Sequence, residues 1–251
     1  MSRFTDKVVL VSGAGSGLGR AAALAFAAEG ASVVLTGRSA DTLAETASAI
    51  EAAGGKALVV TADVAVEEDV RRVIDTVLAH HGRLDVAFNN AGVLGAGPLV
   101  ELDSATVDEV LATNVKGTWL ALKHQIPQMV RQGGGAIVNM SSVLGAYKSV
   151  PGTTVYGAAK AAVLALTKGA ALEHAADKVR INAVSPGAVG GPMSQQPGET
   201  AQQRDQRVAE TVPVGRIGSA EEIAEAVLWL ASDQASYVTG QDVVLDGASS
   251  L

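Results

Sequence analysis

With 251 residues, the chain is long enough for one large α/β domain that builds its core without disulfide or metal staples. A formal net charge of -7 and a pI of about 5.1 argue against a nucleic-acid backbone as partner. The lack of cysteine removes disulfide and thiolate chemistry, and none of His80, His81, His124 and His174 stands at metal-binding spacing.

Arg3, Asp6 and Lys7 precede a short apolar run ending at Val11, unlike a signal peptide. Apolar stretches such as 21–28 fall far below membrane-spanning length, so a soluble, cytoplasmic protein without a membrane partner is expected. Short β-branched runs at 8–12, 32–36, 57–61, 85–89, 136–140, 180–184 and 243–245 read as strands. Alanine-rich stretches at 18–29, 41–53, 67–81, 104–131, 154–175 and 220–232 read as helices. Several strands are apolar on both faces, which suits a seven-stranded parallel sheet flanked by helices in a single α/β domain spanning 1–251. The one long irregular segment, 190–218, has the length of a functional lid.

The first strand runs into Ser12-Gly13-Ala14-Gly15-Ser16-Gly17-Leu18-Gly19, followed by a helix. Such a turn lets backbone approach a pyrophosphate and aims helix amides at it; glycine strings alone are weak signals, but this context strengthens the reading. The second strand ends in Thr36-Gly37-Arg38, where an arginine can hold a 2′-phosphate in place of the acidic residue that binds ribose hydroxyls. The glycine loop itself carries Ser16 and no cation, so that pocket is thinly charged, and Arg38 also reads as a solvated cation at a helix start. Asp63-Val64, Asn89-Asn90-Ala91-Gly92, Asn139 to Ser142 and Ser185-Pro186-Gly187 follow later strands, where open α/β sheets bind ligands.

Tyr156 and Lys160 are four residues apart on one predicted helix and share a face. A free phenol titrates near pH 10, and a cation about 4 Å away in an effective dielectric near 20 contributes about 4 kcal/mol, roughly three pKa units. The spacing therefore predicts a tyrosine tuned for proton exchange near neutral pH.

These motifs together resemble the short-chain dehydrogenase/reductase family, over essentially the whole chain. Its Gly-x-x-x-Gly-x-Gly corresponds to Gly13, Gly17 and Gly19, with Ser12 where threonine is commoner; its Asn-Asn-Ala-Gly corresponds to Asn89–Gly92. Its tetrad corresponds to Asn114, Ser142, Tyr156 and Lys160, and Pro186-Gly187 and Thr239-Gly240-Gln241…Asp246-Gly247 also match. The resemblance implies a doubly wound Rossmann fold, hydride transfer between NADP(H) and a ketone or secondary alcohol, and a homotetramer. Tyr156 would exchange the proton, Ser142 would place the substrate oxygen, and Lys160 would hold the nicotinamide ribose and lower the Tyr156 pKa. Asn114, at a bend in the 104–131 helix, would anchor a water.

Two departures stand out. The family often places a threonine at the position of Gly191, here preceded by Gly190, so backbone from Val189 would orient the nicotinamide. Tyr156 follows Ser142 by fourteen positions, one more than is common in the family. NAD(H) use with Arg38 stacking on adenine is the alternative, and a non-catalytic nucleotide-binding regulator, which would lack Tyr156 or Lys160, is a further one. Enoyl reduction is disfavoured, because the family's enoyl reductases space tyrosine and lysine more widely. Leu94, Val143, Leu144, Tyr147, Val150 and Met193 are candidates for an apolar substrate wall, with ordinary loop packing as the alternative. Small residues on the Tyr156 helix (Ala158, Ala162, Ala165, Gly169), beside Val110, Val115, Trp119 and Met129 of the 104–131 helix, suggest the assembly face.

Overall fold

A computed structural model describes residues 2–196 and 198–251, so Met1 and Pro197 of the regions named above lie outside the description. Seven strands form one parallel sheet in the order β3-β2-β1-β4-β5-β6-β7. They are β1 (Val8–Ser12), β2 (Ser32–Gly37), β3 (Lys56–Thr61), β4 (Val86–Asn89), β5 (Gly135–Met140), β6 (Val179–Pro186) and β7 (Asp242–Leu245). The order reverses between β1 and β4, which opens a ligand crevice at the carboxyl ends of those strands.

The side-chain period of two divides the core. Val9, Val11, Val33 and Leu35 pack under α1 (Gly17–Ala28), α2 (Ala40–Ala52) and α9 (Ala220–Ala231). Val8, Leu10 and Val34 face the other way, toward α3 (Glu67–His81), α5 (Gly117–Arg131) and α7 (Thr154–His174). Because both faces are covered, the central strands read as continuous apolar runs.

Three expectations need correction. The 104–131 helix is divided into α4 (Ser104–Val110), a wide π turn (Leu111–Lys116) and α5, and the π turn carries Asn114 at the expected bend. Segment 190–218 is not irregular throughout. It contains α8 (Ala201–Thr211), started by a Thr200–Gln203 capping box and anchored by buried Val208, which the polar composition concealed. Thirdly, α7 is long and apolar enough to cross a membrane by length and composition, although no such stretch was expected. Here it lies against the sheet, with Ala159, Lys160, Val163, Leu164 and Ala171 buried.

The outward face is also narrower than the sequence suggested. Val110 and Met129 are buried, whereas Leu111 and Trp119 are exposed, as are Ala158, Ala165, Gly169 and Leu172 of α7.

Candidate active site

The carboxyl end of β1 delivers the glycine loop. Gly13 and Gly17 hold left-handed backbone, with φ of 65° and 51°. A Cβ at Gly19 would lie 2.2 Å from the Gly13 carbonyl oxygen, whereas one at Gly17 would meet nothing within 4 Å. The turn is therefore packed below and open above. Ser16 is the N-cap of α1 yet makes no side-chain capping bond, so the first-turn amides of Gly17, Leu18 and Gly19 lack a side-chain cap. An open turn with uncapped amides fits the pyrophosphate of a dinucleotide.

Ser12 has a role that the sequence reading missed. Its Oγ accepts from the backbone N–H groups of Asn90 and Ala91 at 3.0 and 3.1 Å, while Asn90 Nδ2 donates to the Ser12 carbonyl at 3.0 Å. These bonds fasten the β4 loop to the glycine loop. A hydroxyl at the end of β1, where the family commonly has threonine, was the available signal.

At the adenosine end, Arg38 is exposed and its guanidinium stands 3.7 Å from Glu109. Asp63 shapes the turn after β3 by accepting from the Ala65 N–H, and its own N–H donates to Asp69. Val64 packs on Gly117, where a Cβ would come within 2.9 Å of Val64 Cγ2.

The proposed tetrad residues converge beside this crevice. Asn114 Oδ1 accepts from the Val93 N–H at 2.9 Å and its Nδ2 donates to the Val93 carbonyl at 2.8 Å, pinning the β4 loop to the π turn. Gly92 fits between two of the residues: a Cβ there would lie 3.0 Å from Asn114 Oδ1 and 3.4 Å from Lys160 Nζ. Lys160, only 3% exposed, donates from Nζ to the Met140 carbonyl at 2.8 Å and lies 5.6 Å from the Tyr156 ring centre. Ser142 Oγ accepts from the Leu144 N–H at 3.1 Å. The short distorted turn α6 (Val143–Ala146) then packs on α7 through glycine: a Cβ at Gly145 would lie 2.1 Å from the Gly157 carbonyl oxygen. Gly145 and Gly157 thus set the spacing between Ser142 and Tyr156, a second role missing from the sequence reading.

The electrostatics differ from expectation. Burial pushes the Tyr156 phenol up to about 12, opposed only by the adjacent Ser142 hydroxyl, and burial pulls Lys160 down to about 8. The expected net fall in the Tyr156 pKa is absent, because removal from water outweighs any attraction and the Lys160 ammonium is directed at Met140. A cation 5.6 Å from the ring centre still favours transient negative charge there, though less strongly than burial opposes it.

Below the site runs a buried amide network. Asn89 Nδ2 donates to Gln125 Oε1 and Asn139 Oδ1, Gln125 Nε2 donates to Asn89 Oδ1, and Asn139 Nδ2 donates to Thr167 Oγ1, all between 2.8 and 3.0 Å. It joins β4 and β5 to α5 and α7 with every amide partnered, a rigid support. Asn89 and Asn139 were visible in the sequence, but their shared partner Gln125 was not.

On the rim, Val143 is buried, whereas Val150 and Met193 are exposed and Leu94 and Leu144 half-buried. Tyr147 is tied down by its hydroxyl, which donates to Asp242 at 2.8 Å. Pro186 ends β6, and Gly187 abuts Asp246, 2.7 Å from where its Cβ would stand. Val189 bridges to Gly218 at the base of the 190–218 segment.

This arrangement suits proton exchange with an oxygen held against Ser142 and Tyr156, next to a dinucleotide crevice. Comparison with known proteins identifies the family. A family profile described as enoyl-(acyl carrier protein) reductase matches residues 13–249. The 3-oxoacyl-[acyl-carrier-protein] reductase FabG of Thermotoga maritima is 39% identical over 98% of both chains. Cyclohexanol dehydrogenase of Acinetobacter sp. strain SE19 is 37% identical over 98% of this chain and 96% of its own. The crystal structure of levodione reductase superposes with a TM-score of 0.94 at 37% identity, covering 99% of each chain. With this likeness along its whole length and a crevice fitted for a dinucleotide, the chain belongs to the short-chain dehydrogenase/reductase family, nicotinamide-dependent oxidoreductases of CH–OH groups.

Proposed function

We propose that this protein is an NADP(H)-linked ketoreductase or alcohol dehydrogenase in which Tyr156, Lys160, Ser142 and Asn114 act as a tetrad. The observation that carries this reading is the burial of Tyr156 and Lys160 against Ser142, beside a glycine turn that is open above. When bound in this crevice, a nicotinamide would supply the hydride for a ketone carbon or take it up from a carbinol carbon. Ser142 donates its hydroxyl hydrogen bond to the substrate oxygen and stabilises the charge that develops there. Tyr156 gives its phenolic proton to that oxygen in reduction and takes it back in oxidation. Its high pKa keeps it protonated at neutral pH, the form a reductase needs, and Lys160 offsets the charge left behind. Lys160 also holds the nicotinamide ribose, and Asn114 fixes the β4 loop and anchors a water toward Lys160.

Gly13, Ser16, Gly17, Leu18 and Gly19 would hold the pyrophosphate, Asp63 and Val64 the adenine, and Asn90, Ala91 and Gly92 the ribose side. Pro186, Gly187 and Val189 would meet the nicotinamide. Arg38 is the candidate for the 2′-phosphate. A second reading, NAD(H) use, is favoured by one observation: the Arg38 guanidinium faces Glu109, a competitor for any phosphate. We also read the enzyme as a soluble, cytoplasmic homotetramer. The exposed Leu111, Trp119 and Leu172 support assembly, and light scattering near four times the 25.3 kDa chain mass would bear it out.

Steady-state kinetics with NADPH and NADH against apolar ketones test the reading. Tyr156→Phe should lower turnover about 10²–10⁴-fold, the range of a lost acid-base group, while cofactor affinity changes by no more than about 1 kcal/mol. A variant keeping a tenth of wild-type turnover would refute the assignment. NADPH should be preferred by roughly tenfold, the low end for a hydrogen bond to a charged group, and Arg38→Ala should abolish that preference.

A further inference from the structure

Helix α8 is polar along most of its length, yet one of its charges is nearly buried: Arg204 is 9% exposed. A guanidinium removed from water needs hydrogen-bonding partners, and those it has are specific. Nη1 donates to the Gly191 carbonyl oxygen at 3.2 Å, and Nε and Nη2 reach Asp205 Oδ1 at 2.9 and 2.7 Å. The Gly191 oxygen also accepts from the N–H and hydroxyl of Ser194, at 3.3 and 2.9 Å. One helical turn on, Arg207 Nη2 donates to the Ser194 carbonyl at 3.0 Å. Two arginines of α8 therefore hold the backbone of 191–194.

The backbone they hold requires support. Gly191 has a φ of 152°, a conformation that side-chain-bearing residues rarely adopt. The stem before it is fixed by a backbone ladder, with the Gly190 N–H donating to the Gly218 carbonyl and the Gly218 N–H to the Ala188 carbonyl, both at 3.0 Å. Past that stem the glycine pair has no side chain of its own to pack. The Arg204 guanidinium runs alongside instead, with Nη2 3.9 Å from where a Cβ on Gly190 would stand.

We propose that Arg204 is a positioning residue: from α8 it fixes the Gly190–Gly191 turn against which the nicotinamide end of the cofactor is held. This rests on the reading above that Pro186, Gly187 and Val189, just before that turn, meet the nicotinamide. A glycine at position 191 removes side-chain recognition there and leaves orientation to backbone, and the arginine restrains that backbone from behind. The coupling also ties lid to cofactor, because α8 cannot swing away without releasing the Gly191 carbonyl.

The test compares wild type, Arg204→Ala and Arg204→Lys by equilibrium fluorescence titration with NADPH and NADH, by amide hydrogen exchange over 188–194, and by kinetics. Arg204→Ala should weaken cofactor binding about tenfold, the low end for one hydrogen bond from a charged group. It should speed exchange at Gly190 and Gly191 by a similar factor and leave the substrate KM within about twofold. Arg204→Lys keeps one donor and should recover part of both losses, which a purely structural role would not predict. If the alanine variant does not fold, the lysine variant decides alone, with cofactor binding expected about threefold weaker. Binding and exchange unchanged in the variants, in a wild type that binds cofactor, would overturn this proposal and leave the proposed function standing. A wild type that binds neither NADPH nor NADH would overturn the proposed function itself.

Discussion

Two parts of the molecule, the floor of the candidate site and the 190–218 segment, are held by different physics. The floor, made of β4, β5, the π turn and α7, buries Asn114, Ser142, Tyr156 and Lys160 above a satisfied amide network. Beyond buried Val208 and the backbone pairing at its base, the 190–218 segment is held by charged side chains: Arg207 against Glu199 and the Ser194 carbonyl, and Arg204 against Gly191. Floor contacts are shielded from water, so each is costly to break. The lid contacts at Arg207 and Glu199 lie partly in water, which can replace them at little cost. Under the proposed function, chemistry that tolerates no misplacement would sit on the first kind of support, and a lid over it would rest on the second.

The contrast can be broken most severely at Gly145. An alanine there meets both a φ of 105° and a Cβ 2.1 Å from the Gly157 carbonyl oxygen. Gly145→Ala should cost more than about 3 kcal/mol in chemical unfolding. Turnover should fall at least about a hundredfold, since Ser142 and Tyr156 no longer share their spacing. An active, stable variant would mean that the loop is far softer than the floor it belongs to.

Asn139→Leu cuts the link between Asn89 and Thr167, leaving Asn89 bonded to Gln125 alone and Thr167 with only its bond to the Val163 carbonyl. A loss of about 2–4 kcal/mol is expected by urea melting, with one buried hydrogen-bonding position on each of Asn89 and Thr167 left unfilled. Loss below 1 kcal/mol would indicate that water enters beneath the site.

A third measurement uses pH. Lys160 is held at about 8, below its usual 10.5, so the fold binds its proton more weakly than the unfolded chain. Stability should therefore rise as pH increases from 8 toward 10.5. Tyr156, at about 12 against its usual 10, works in the opposite sense, with stability falling above pH 10. Between pH 8 and 10, wild type should gain roughly 2 kcal/mol relative to Lys160→Met, followed by urea melts. Parallel profiles would show that Lys160 is better solvated than its burial implies.

The smallest effect belongs to the lid. Arg207→Ala should change global stability by less than about 1 kcal/mol, because the Arg207–Glu199 pair is partly exposed. Exchange near Ser194 should nevertheless quicken. A loss as large as that of Asn139→Leu would erase the distinction between lid and floor.

Much of this was legible without coordinates. All seven strands were readable as β-branched runs, because strands covered on both faces must be apolar throughout. The glycine loop, Asn90, Ser142, Tyr156 and Lys160 were readable because their spacing follows strand ends and helical turns, which are local properties of the chain. Helix α8 was not, since its buried face is little more than Val208 and Arg204 and leaves almost no apolar period to detect.

Spacing along the sequence put a lysine next to a tyrosine, and local geometry alone was enough for that. The resulting acidity was decided in three dimensions. Desolvation depends on everything packed around Tyr156 and Lys160, and it moved the phenol upward although proximity alone argued for the reverse. The same holds for Ser12 bonding the β4 loop, for Gly145 against Gly157, and for Arg204 on Gly191: each joins residues from separate elements. Periodicity along the chain specifies which face a residue occupies; what stands opposite that face is fixed only when the sheet and its helices close on one another.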